Sequence, residues 1–227
     1  NLRFVSGTPA ELALENVIGV YPLDINSDGF LDLAVLRVGE NILLEGAADC
    51  HFAPSSLNLT SYEKGWTTAF SATWEVGQSL PTLAFGNYVD RDNPDGPFGT
   101  CDDNFLFRPQ NNTYAAPRLL EPGYCPLSML FSDWGRRGQA DLRLSNDRHY
   151  YLNAGEEQMW EMAAVPRLYK AQDGWQSHKL WGMGIASRDI TGDGLPEIYL
   201  TSMGDQRLQM LDTEVAGPSY RDATYGR

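Results

Sequence analysis

The nine residues Asp24-Ile25-Asn26-Ser27-Asp28-Gly29-Phe30-Leu31-Asp32 constrain this chain more than any other stretch. Side-chain oxygens recur at the first, third, fifth and ninth positions, and a glycine stands at the sixth. A hard cation such as Ca²⁺ needs several oxygens converging at about 2.3–2.6 Å around one sharp turn. Gly29 permits the positive φ of that turn, and Phe30 can direct its backbone carbonyl inward. The expected ligands are Asp24, Asn26, Asp28, Asp32 and the Phe30 carbonyl. An EF-hand would require a bidentate Glu at the twelfth position, which here is Val35, so that motif is excluded. An ordinary Asp/Asn/Gly turn accounts for most of these residues but not for an acid at the ninth position.

The flanks indicate a hairpin. Val17 to Tyr21 and Leu33 to Val38 are short, apolar and partly β-branched, and the second run ends at Gly39-Glu40-Asn41. The loop pattern recurs at Asp189-Ile190-Thr191-Gly192-Asp193-Gly194-Leu195-Pro196-Glu197, for which Asp189, Thr191, Asp193, Glu197 and the Leu195 carbonyl are the expected ligands. A degenerate copy runs from Asp133 to Asp141, with Gly135 at the third position and Arg137 at the fifth. There a guanidinium is expected to replace the ion, bridging Asp133 and Asp141 by charge-assisted hydrogen bonds. A further copy is expected to start at Asn87 and to carry an insertion through Asn104. Asn87, Asp90, Asp92, Asp95, Asp102 and Asp103 form a weaker candidate site in it, and a solvated acidic turn explains them equally well.

Apolar residues stand four places before each start, at Val20, Leu83, Met129 and Ile185. Others follow the ninth position at alternate places: Leu33 and Val35, Phe105 and Phe107, Leu142 and Leu144, Ile198 and Leu200. Farther on come Leu43, Leu152 and Leu208. That period of two is what strands require. The starts at 24, 87, 133 and 189 lie 63, 46 and 56 residues apart, the size of a four-stranded sheet with its turns. Further strands are expected at Asn41–Glu45, Trp66–Trp74, Tyr150–Asn153 and Arg207–Leu211. The predicted fold is all-β, a β-propeller of about four four-stranded blades belonging to a larger ring. The repeat units run roughly over 15–65, 66–118, 119–167 and 168–227.

The loop and its flanks, Leu23 to Leu33, resemble the FG-GAP/VCBS repeats of integrin α chains and many secreted bacterial proteins. The long Asn87 loop and the tail of the Asp189 repeat are similar to the cartilage acidic protein (CRTAC-like) branch. That resemblance covers about residues 15 to 213 and implies a propeller whose calcium loops tie blades together. It implies no single activity, because many functions are grafted on propellers. Integrin-type rings have about seven blades, so further blades of the same ring are the expected neighbours.

Charge narrows the partners. With 17 basic and 30 acidic residues the net charge is −13, which disfavours nucleic acid and anionic membrane and suits divalent cations. No apolar run approaches a bilayer span, and no basic-then-apolar leader opens the sequence. The start at Asn1 rather than Met suggests processing or a fragment. Of the three cysteines, Cys101 and Cys125 flank a Pro/Asn-rich loop and are the favoured disulfide, leaving Cys50; such a bridge implies a secreted, periplasmic or extracellular setting.

Catalytic motifs are absent. His51, His149 and His178 lack a recognisable nucleophile or metal-ligand spacing around them. The expected function is a non-catalytic, calcium-stabilised module for binding, adhesion or scaffolding, with a protein or carbohydrate ligand. The alternatives are a propeller-based lyase or hydrolase, or a carbohydrate-binding module using exposed aromatics among the six Trp and eleven Tyr.

Overall fold

Alternating apolar residues in short runs, separated by Gly-, Asn- and Asp-rich turns, leave the chain little alternative to antiparallel hairpins. The computed structural model describes residues 9–57, 59, 65–94, 99–147 and 155–223. Four sheets of four strands follow one another along it. The first contains β1 (Val17–Leu23), β2 (Asp32–Arg37), β3 (Ile42–Ala47) and β4 (His51–Pro54). In the second, β5 (Thr67–Thr73), β6 (Thr82–Asn87) and β7 (Asn104–Phe107) are followed by a small hairpin, β8 (Pro109–Gln110) with β9 (Thr113–Tyr114), before the edge strand β10 (Arg118–Leu120). The third is β11 (Pro126–Ser132), β12 (Asp141–Asn146), β13 (Gln158–Glu161) and β14 (Arg167–Leu168). The fourth is β15 (Gly182–Arg188), β16 (Glu197–Ser202), β17 (Arg207–Leu211) and β18 (Tyr220–Asp222). Strand order in every sheet is sequence order, and every neighbour is antiparallel.

The sheets repeat one register. Leu23 faces Asp32, Thr73 faces Thr82, Ser132 faces Asp141, and Arg188 faces Glu197. The first hairpin of each sheet is irregular at the same place, between Val17 and Gly19, Thr67 and Ala69, Pro126 and Ser128, and Gly182 and Gly184. Just beyond, one backbone bond recurs four times, from the amides of Val38, Tyr88, Asp147 and Met203 to the carbonyls of Asn16, Trp66, Cys125 and Trp181. The expected strand Tyr150–Asn153, together with Leu152 and His149, lies outside the described residues; the third strand of that sheet is Gln158–Glu161.

Apolar side chains fill the spaces between consecutive sheets. Leu36, Phe70, Phe85 and Phe107 lie between the first and second, Leu106, Met129 and Leu144 between the second and third. Met159, Trp175, Ile198 and Leu200 lie between the third and fourth. In that last core Arg143 is fully buried, its guanidinium stacked between Trp175 and Tyr220 and donating to Gln209. Extensive contacts join each sheet to the next, through β2 with β5, β5 with β11, and β11 with β15.

A second device repeats at the opposite end of the sheets from the β1–β2 turn. The last amide of each second strand donates to a side-chain oxygen near the start of the third: Arg37 to Asn41 (2.9 Å), Asn87 to Asn104 (3.0 Å), Asn146 to Glu157 (2.9 Å) and Ser202 to Gln206 (3.3 Å). Between the first two sheets this device is linked into a chain, because Asn41 donates to Thr67 and Thr67 to Asn87 at 2.9 and 2.8 Å. Asn87→Ala is therefore expected to lower the unfolding free energy by roughly 2–3 kcal/mol, since it strands the buried Thr67 hydroxyl and the Asp103 carbonyl. The exposed Gln78→Ala should stay within about 0.5 kcal/mol; denaturant unfolding of both variants measures the difference.

Candidate functional site

Three of the four turns between first and second strands share a conformation despite different sequences. Their fourth residues, Ser27, Arg136 and Gly192, and their sixth, Gly29, Gly138 and Gly194, all have positive φ. In each, the first-position carboxylate gathers backbone donors. Asp24 accepts from Asp28 and Gly29 at 3.1 and 3.0 Å, Asp133 from Arg137 and Gly138 at 2.7 Å each, and Asp189 from Gly192 and Gly194 at 2.6 and 2.7 Å. In the first loop Asn26 also accepts from the Asp28 amide (3.0 Å) and donates to its carboxylate (3.0 Å), so three oxygen-bearing side chains meet over one turn. The fifth-position acids Asp28 and Asp193 accept from the amides of Phe30 and Leu195 at 2.8 Å.

The ninth-position acids are the buried ones: Asp32 is 1% exposed, Asp141 0% and Glu197 4%. Asp32 accepts from the amides of Ile25 and Gly46, both at 2.8 Å, which fastens the loop to β3. Glu197 accepts from the amides of Ile190 (2.6 Å) and Thr191 (3.3 Å) and from the Thr191 hydroxyl (3.2 Å). Asp141 accepts from the Met162 amide (2.9 Å), the Trp134 indole (2.7 Å) and the Tyr169 hydroxyl (2.8 Å), and is paired with Arg137. Burial, then the bond to Asp141, pushes Tyr169 up to about 12, so its hydroxyl remains a donor.

The degenerate loop thus corrects one expectation. Of the two carboxylates the Arg137 side chain reaches only Asp141, while Asp133 is occupied by backbone amides; the guanidinium lies over the Trp134 ring, 4.6 Å from its centre. In the fourth loop, Gly194 leaves room for the Arg136 guanidinium arriving from the third.

A larger correction concerns the second sheet. Its equivalent turn is Trp74 to Thr82, not the loop starting at Asn87, which joins β6 to β7 at the opposite end. Phe70, rather than Leu83, therefore corresponds to Val20, and Phe105 and Phe107 belong to the third strand. The ninth-position residue is Thr82, 0% exposed, whose hydroxyl donates to Glu75 at 2.7 Å; Arg108 donates to the same oxygen at 2.7 Å. The sequence signal was present in Gly77 and Pro81 between two apolar runs, but the acid-rich stretch downstream imitated the loop pattern more closely.

Asn87 is no ligand, because both ends of its amide are spent on Thr67 and the Asp103 carbonyl. Asp95 lies outside the described residues. Asp90, Asp92, Asp102 and Asp103 do lie close together, and Cys101 is bonded to Cys125 beside them. Among the described residues no three His, Cys, Asp or Glu side chains converge as a metal cluster. His178 is half-buried against Gln209, its pKa lowered by burial and then by Arg207.

Comparisons with known proteins add little. No family model and no curated protein matches the chain. Among solved structures it aligns with the crystal structure of BBS1N in complex with ARL6DN, soaked with lead, over 92% of this chain and 70% of that one, at 10% identity and a TM-score of 0.41. A likeness of that degree fixes neither family nor function.

Burial first, and then the charges of Asp90, Asp103 and Asp92, raise Asp102 to about 6, against a bond from the Asp103 amide that lowers it. A carboxyl raised on folding contributes stability that is complete below its unfolded pKa of 3.8 and lost as pH rises through about 6. In chelator, Asp102→Asn should therefore match the parent near pH 4 and exceed it by roughly 1 kcal/mol at pH 7.5, allowing for solvent screening. Thermal unfolding across that range reads the crossover.

Proposed function

We propose that this chain is a calcium-stabilised, non-catalytic binding or scaffolding module of the FG-GAP propeller type. The observation that carries the proposal is the contrast between Asp32 and Asp141. Both are buried at equivalent positions and both accept backbone donors, but Asp141 has the Arg137 guanidinium on it, whereas Asp32 has no ion pair among the described residues. Asp32 is withdrawn from water in a loop that also carries Asp24 and Asp28, and a positive charge there would offset desolvation and like-charge repulsion. Ca²⁺ held by Asp24, Asn26, Asp28 and Asp32 with the Phe30 carbonyl would supply it. Asp189, Thr191, Asp193, Glu197 and the Leu195 carbonyl form the second candidate, weakened by the nearby Arg136.

The repeated register and bulge support reading the four sheets as consecutive blades. The outward faces support a larger ring: Ile18 and Val20 on β1 and Tyr199 on β16 are exposed large hydrophobic groups on sheets that otherwise pack face to face. We propose that further blades cover them. The Cys101–Cys125 bond favours a secreted or periplasmic setting.

Titrating calcium into chelator-stripped protein during thermal unfolding tests the ion. Binding to the folded loop alone adds roughly 2.7 kcal/mol at a hundredfold excess over Kd, several degrees in Tm for a chain of this size. Asp28→Ala should remove most of that response and Asp193→Ala a smaller part. Arg137→Ala should cost roughly 2 kcal/mol or more with or without calcium, because it leaves Asp141 buried and unpaired. An absent calcium shift, or equal loss of it in all three variants, rules the ion out.

A further inference from the structure

Between the second and third sheets, at the end where the β1–β2-type turns lie, is a cleft of about 590 Å³. One wall is Trp74, Glu75 and Val76; the other is the degenerate loop, with Arg137 and Gln139. Arg108 crosses the floor, donating to Glu75 and to the carbonyls of Met162, Ala163 and Ala164 at 2.7–3.0 Å, so the walls are fixed relative to each other. We propose that this cleft is a binding site for a neutral pyranose oligosaccharide, which deepens the reading of the chain as a binding module and rests on it.

The chemistry of the lining selects that class. Trp74 lines the cleft and is 48% exposed, so its indole is accessible to the polarised C–H groups of a sugar ring. Around it stand groups of both senses, as hydroxyls that donate and accept require. Glu75 uses one carboxylate oxygen for Thr82 and Arg108 and keeps the other; Gln139 spends its amide nitrogen on the Met162 carbonyl (2.6 Å) and keeps its oxygen; Arg137 turns one nitrogen to Asp141 and Tyr169 and keeps its remaining edge. Both cations of the cleft are already neutralised, Arg108 by Glu75 and Arg137 by Asp141. An anionic sugar would meet the Glu75 carboxylate with no uncompensated positive charge, so a neutral saccharide is favoured over a uronate or sulfate ester. A peptide adding as a strand would need an open sheet edge, whereas these walls are turns.

The whole chain is tested in calcium-containing buffer on an array of neutral cello-, xylo-, manno- and chito-oligosaccharides, with uronate and sulfated glycans alongside. Binding of at least one neutral series is expected, weakened about tenfold or more in Trp74→Ala and largely kept in Trp74→Phe. Trp74 is exposed at the rim, so an unchanged melting curve of Trp74→Ala shows that it folds; Gln139→Ala, expected to weaken binding severalfold, supplies a second reading. No glycan bound, binding only of charged glycans, or binding indifferent to Trp74 and Gln139 would overturn the proposal while leaving calcium-dependent melting untouched. Cleavage of a bound glycan would instead overturn the non-catalytic reading.

Discussion

Each β1–β2-type turn is held down by a buried oxygen at its ninth position. Asp32 joins the Ile25 amide to the Gly46 amide, so one side chain closes the loop and ties it to the third strand. Asp141 does the same through Trp134 and Met162. An ionised acceptor taking backbone N–H donors is worth about 1.5–3 kcal/mol per bond, which few neutral side chains could match. The cost is a charge withdrawn from water, and the sheets differ chiefly in how they offset it. The third uses a guanidinium, and the second avoids the charge with Thr82, moving the ion pair outward to Glu75 and Arg108.

Architecture was legible because it depends on repeating contrasts between apolar and polar residues. Leu33 with Val35, Leu142 with Leu144, and Ile198 with Leu200 lie on second strands as their alternation requires, and the turns before them share one backbone conformation, with an aspartate at the first position and a glycine at the sixth of each. The second sheet departs from the expected pattern because its turn carries none of the polar signature: at the ninth position Thr82 donates its hydroxyl to Glu75, where the acids of the other sheets accept backbone amides. Asn87 attracted the pattern instead, although its role at the far end of the sheet is to bond Thr67 and Asp103. The repeat of Asn41, Asn104, Glu157 and Gln206 was invisible for a related reason, since an amide and a carboxylate accept the same backbone bond and share no one-letter motif. Contacts across sheets, such as Arg108 to Met162–Ala164, follow from packing between segments distant in sequence and leave no local trace.

The two middle sheets, where the oxygen-rich pattern is lost, are the ones that enclose the large cleft. A bound ion attracts oxygens from all sides and turns a loop in on itself. A guanidinium is planar and has edges. Arg137 spends one nitrogen on Asp141, lays a face on Trp134 and still reaches the cleft with the rest. An arginine in the place proposed for an ion therefore keeps the turn and adds an outward-facing donor. In the neighbouring turn, the absence of ligand residues leaves Trp74 and Val76 exposed without any loss of the Thr82 contact beneath them. On the proposed reading, the middle sheets trade an ion-binding pattern for an indole, a fork of donors and an unshared carboxylate oxygen across one fixed gap, and that is the physical argument for proposing recognition at the middle of the chain and ion-dependent stability at its flanks.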